Sequence, residues 1–127
     1  MARDAVLDLR RRQDPAVARY LEAARWIGAH TPPGAVVMAR KPDLLHLHAG
    51  RLVTDLRFTL DPAAWEAARA RDGITHVVVD GMGFAGTKAY AQAFVEAHPA
   101  LFDPVFETAP PATRVYAWRG GAAGRAR

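Results

Sequence analysis

Apolar and polar residues follow two rhythms along this chain, and where they change marks the expected elements. Val17, Tyr20, Leu21, Ala24 and Ile27 recur at helical spacing with Arg19, Glu22 and Arg25 opposite, which predicts a surface helix packed on a core. Asp14 followed by Pro15 is a good start for it, because the carboxylate accepts from free N–H groups and proline at the first position loses no hydrogen bond. Thr31, Pro32, Pro33 and Gly34 then stop it. Residues 35–39, AVVMA, form an uncharged run that reads as a first buried strand, with Arg40 and Lys41 at its C-terminal end. Pro42 and Asp43 open a short helix closed by Gly50, and residues 51–54 read as a second strand. Leu60, Asp61, Pro62 and Trp65 have the pattern of an N-cap with a staple, Leu60 packing on Trp65, and predict a helix over residues 62–71 that ends at Asp72 and Gly73.

The most apolar stretch follows. Residues 75–79 are β-branched at four of five positions, His76 being the exception, as in a strand covered on both faces. Asp80 ends it and a glycine-rich turn, GMGFAG, leads to Thr87, read as an N-cap. Tyr90, Ala91, Phe94, Val95 and His98 then share one side of a helix that Pro99 terminates. Residues 104–108 and 113–118 are two β-rich runs joined by a short Pro-Pro link, the arrangement of antiparallel neighbours. The order αβαβαβαββ implies an α/β fold: a three-layer αβα sandwich around a mainly parallel five-stranded sheet with an antiparallel C-terminal hairpin. Residues 14–119 are expected as a single domain, residues 1–13 as a lead-in segment and residues 120–127 as a disordered tail.

Composition removes whole classes of chemistry. The 127 residues include no cysteine, so disulfides, thiolate metal sites and a cysteine nucleophile are impossible. They include no serine either. Seventeen Lys and Arg against thirteen Asp and Glu give a formal charge of +4, but the only basic run is Arg10, Arg11 and Arg12, without interleaved aromatics, so nucleic acid is not an expected partner. No apolar run approaches the roughly 20 residues of a membrane helix.

Three candidate sites survive. Gly81, Gly83 and Gly86 fit the spacing G-x-G-x-x-G between a strand and a helix, where backbone N–H groups meet phosphates. Against that, the motif follows the third strand, Asp80 opposes a pyrophosphate, and an acidic partner about 20 residues on would have to be Glu107. Thr87 and Lys88 also stand in the wrong order for a phosphate loop. Asp55, Asp80 and Lys88 are possible acid–base groups at the C-terminal edge of a parallel sheet. The broader candidate ligand edge at those strand ends comprises Arg40, Lys41, Arg57, Asp80, Gly81, Gly83 and Lys88. His46 and His48, two apart on a helix, point about 200° from each other and do not share a metal readily; no metal, cofactor or catalytic residue is expected.

Trp26, Ile27, Thr31, Pro32, Ala35 and Val37, then Arg40, Lys41, Pro42, Gly50 and Arg51, the strand from His76 to Asp80, and the runs at Phe102 to Phe106 and Val115 to Trp118 carry a family resemblance. Together they resemble the soluble C-terminal domain of bacterial membrane glycosyltransferases of the dolichyl-phosphate-mannose-protein mannosyltransferase type. The resemblance spans about residues 19–119. It implies an extracytoplasmic, periplasmic domain that follows the last membrane helix, has the membrane domain of its parent as partner, and takes a sugar or polyprenyl-phosphate ligand. It also implies that the catalytic acid belongs to a membrane-proximal loop outside this chain, which on its own would not transfer sugar. Arg10 to Arg12 and the glycine-rich loop depart from that pattern. They leave open a free-standing, cytoplasmic, Rossmann-like module that binds a nucleotide or other phosphate.

Overall fold

The computed structural model describes residues 14–119; the lead-in, its arginine run and the tail lie outside the described residues. Helix α1 spans Pro15–His30, with the Asp14 carboxylate accepting from the amides of Ala16 and Val17. Strand β1 is Val36–Met38 and helix α2 is Pro42–Ala49. Strand β2, Leu52–Thr54, and helix α3, Pro62–Asp72, follow, the latter capped by Asp61. After β3, His76–Val79, the chain winds as a π-helical segment, Thr87–Gln92, that runs on into α4, Ala93–Ala97. Strands β4, Phe102–Glu107, and β5, Arg114–Trp118, complete the domain.

The strands form one sheet in the order β2-β1-β3-β5-β4. β1 lies parallel to β2 and β3, whereas β5 runs antiparallel to both β3 and β4. Two parallel and two antiparallel pairings make the sheet mixed, which corrects the mainly parallel sheet expected from the order of elements. The hairpin enters by its second strand for a physical reason: Pro104 has no N–H to donate and keeps β4 at an edge, where the ladder also shifts register between Pro104 and Phe106. β5 carries no proline and takes the inner place.

Successive residues of β1 and β3 enter different clusters, as pleating requires. Met38, Val77 and Val79 join Leu56, Trp65, Phe94, Phe102 and Trp118. Val37 and Val78 join Tyr20, Ala24, Ile27, Leu45 and Val115. Trp65 stacks on Phe94 at 4.1 Å and meets Phe102 and Trp118 edge-on. Leu60, expected to pack on Trp65, is 51% exposed, and Trp65 is anchored through its indole N–H, which donates to the Thr59 carbonyl at 2.8 Å. In the other cluster a Cβ at Gly28 would lie 2.8 Å from the Ala49 carbonyl oxygen, so α1 and α2 touch backbone to backbone. Arg51 fastens this junction, donating to the carbonyls of Gly28 and Thr31 and to the Thr31 hydroxyl. It thereby satisfies acceptors that a helix end leaves open.

Candidate functional site

The C-terminal ends of β1 and β3 lie side by side, and the chain leaving each does something different. At the end of β3, Asp80 is buried, with 6% of its surface exposed. Its carboxylate accepts from the Met82 amide and the Thr87 hydroxyl, each at 3.1 Å. Thr87, expected as an N-cap, is corrected by this bond: it sits inside the helical segment, 1% exposed, and reaches back to Asp80. A buried carboxylate requires donors of this kind. The glycines serve the same turn. Gly81 presses against the Ala112 backbone so closely that a Cβ would collide with its carbonyl, and Gly83 has φ +91°.

At the end of β1 the chain opens into a cleft of about 470 Å³ lined by Arg40, Lys41, Pro42, Asp43, Leu44, Asp55 and Phe58. Its size is that of a small-molecule pocket. The Arg40 guanidinium lies 4.5 Å from the Phe84 ring centroid and 5.3 Å from that of Phe58. Phe58 in turn meets Tyr90 edge-on at 6.0 Å. Gly86 makes room for the arrangement, since a Cβ there would lie 2.9 Å from the Phe58 ring. Lys41 places its ammonium 5.5 Å from Phe84. Its backbone is left-handed, φ +53°, although it precedes a proline and is neither glycine nor asparagine, so the strand-to-helix turn holds strain at the cleft. The buried Tyr20 hydroxyl supports the turn from below by donating to the Arg40 carbonyl. Burial, with the charges of Asp80 and Asp55 adding to it, pushes that hydroxyl well above the usual phenol range.

Of the candidate ligand edge, Arg40 and Lys41 line this cleft. Asp80, Gly81 and Gly83 build the neighbouring turn. Arg57 lies in the field of Asp72, whose carboxyl is held below its usual range chiefly by a hydrogen bond from Arg71, with the charge of Arg57 adding to it. Lys88 is exposed on the π-helical segment. Asp55, weighed as an acid–base group, lines the cleft and accepts from the Leu56 amide at 2.9 Å. The sequence reading missed Phe58, Phe84, Asp43 and Leu44. The available signal was slight: an aromatic in the middle of a glycine turn and another in a loop rich in charge.

His46 directs Nδ1 to the Arg51 carbonyl at 2.6 Å. Among the described residues no three His, Asp or Glu side chains are grouped as metal ligands, and no helix is long and apolar enough to cross a membrane.

The chain matches no protein-family model, no curated protein and no solved structure.

Proposed function

We propose that this chain is a non-catalytic recognition domain that meets an anionic ligand at the β1 tip, through Arg40 and Lys41. One observation carries the reading: Arg40 is gripped between two phenylalanine rings while its guanidinium donors form no ion pair or hydrogen bond among the described residues. A guanidinium fixed in this way is pre-organised for two parallel hydrogen bonds to a phosphate or carboxylate. The two apolar clusters support a three-layer αβα arrangement, the setting in which strand ends form a binding edge.

The resemblance supplies the context. We infer a periplasmic domain attached to the membrane part of a glycosyltransferase that uses polyprenyl-phosphate sugars, contributing ligand or acceptor recognition while the parent performs transfer. The second reading, a free-standing Rossmann-like nucleotide module, has less support, because Asp80 and Gly81 are engaged in packing the turn that would hold the phosphates. Calorimetric titration with a sugar 1-phosphate tests the proposal. The native chain gives saturable binding, and the Arg40→Ala, Lys41→Ala double variant loses about tenfold or more in affinity, the equivalent of at least one charge-assisted hydrogen bond. Identical titrations, or no binding by either protein, sink the anion contact.

A further inference from the structure

The cleft contains charge of both signs that is not paired. Arg40 and Lys41 share its lining with Asp43 and Asp55, yet among the described residues none of the four joins an ion pair with another. Four pairs elsewhere on the surface do close, Arg19 with Glu22, Arg71 with Asp72, Arg114 with Glu107 and Arg119 with Asp103. Geometry keeps the four cleft charges apart. The phenylalanine rings hold Arg40, and the left-handed turn directs Lys41 over Phe84, so the cations do not collapse onto the carboxylates. A simple anion would use half of this lining and would meet repulsion from Asp43 and Asp55. Pro42, Leu44 and Phe58 place apolar surface in the same lining.

We propose that the cleft recognises a small zwitterion, with an oxyanion on Arg40 and Lys41 and a primary ammonium on Asp43 and Asp55, the two joined by a short carbon chain. This deepens the anion contact proposed above and rests on it. Two sources share the chemistry, aminoalkyl phosphates and amino acids, and paired probes distinguish them: phosphoethanolamine against methyl phosphate, and β-alanine against propionate, each titrated into the 127-residue chain.

At least one zwitterion is expected to bind about tenfold more tightly than its anion-only partner, in keeping with an added charge-assisted contact. The member of the set that shows the gain identifies the source. Asp43→Asn and Asp55→Asn together erase the gain while leaving affinity for the plain anion unchanged or higher. Arg40→Ala weakens every probe that binds. Equal affinity within both pairs overturns the zwitterion assignment and leaves the anion site standing, and so does a gain that survives the loss of both carboxylates. Absence of binding by all four probes removes the zwitterion and the anion site together. Far-UV circular dichroism of each variant separates a lost contact from a lost fold.

Discussion

Two neighbouring strand tips, each carrying charge, have opposite fates in this molecule. At β3 the polar groups turn inward: Asp80 is buried, accepts from Met82 and Thr87, and ties the glycine turn to the helical segment behind it. At β1 they stay open: Arg40 and Lys41 face a cleft, held by aromatic rings in place of carboxylates. The first tip therefore contributes to stability, and the second carries the proposed anion contact. They are joined through Phe84, which leaves the glycine turn to lie against Arg40.

That division is broken most severely at Asp80. Asp80→Ala removes the acceptor of two hydrogen bonds to a charged group and leaves the buried Thr87 hydroxyl unpaired, which costs about 2–4 kcal/mol; urea denaturation measures it. A loss below about 0.5 kcal/mol would mean that the turn does not depend on the carboxylate. Next comes Gly81→Ala, whose Cβ meets the Ala112 carbonyl, backbone against backbone. The collision forces a shift costing about 1–3 kcal/mol, again read in urea.

Lys41→Gly probes the other tip in the opposite direction. Glycine accepts the left-handed backbone that lysine adopts here with strain, so the variant gains about 1 kcal/mol in thermal unfolding while its affinity for anions falls. A destabilised variant would show that the turn is not strained. Phe84→Ala has a small effect on stability, about 0.5–1 kcal/mol from the cation–π contact beyond the lost ring packing. It nevertheless weakens anion binding, because Arg40 is then free to swing toward solvent or a carboxylate.

Tyr20, beneath both tips, adds a pH dependence. Its folded-state pKa is raised by burial and by the charges of Asp80 and Asp55, so the fold favours the neutral phenol. The contribution is complete below the ordinary phenol pKa of about 10. It declines as pH rises further, when the unfolded chain loses the proton first. Tyr20→Phe makes the alkaline loss of stability shallower in urea titrations from pH 8 to 11.

What the sequence made legible was local. The Asp-Pro starts at Asp14 and Asp61 specify their helices because a cap acts within three residues. The β-branched run before Asp80 specifies a buried strand, and the Pro-Pro link between residues 108 and 113 specifies an antiparallel hairpin. Features that join distant segments were not legible. The aromatic grip joins residues 40, 58 and 84, which periodicity does not connect. Thr87 has the residue type of an N-cap, and only the position of Asp80 across the turn makes it an inward donor. Leu60 satisfies the pattern of a staple, yet half of its surface stays exposed while Trp65 stacks on Phe94. The candidate edge at residues 40–88 likewise joined Arg40 and Lys41, which line the cleft, with Lys88, which is exposed on the π-helical segment.

The open tip is tested most directly by a titration of the 15N-labelled chain with methyl phosphate, followed through backbone amide shifts. Saturable changes centred on residues 40–44 and on Phe58 and Phe84, abolished by Arg40→Ala, are the predicted result. Changes centred on Gly81, Gly83 and Lys88 that persist in Arg40→Ala would place the anion on the glycine turn and contradict the account, as would a spectrum that does not respond.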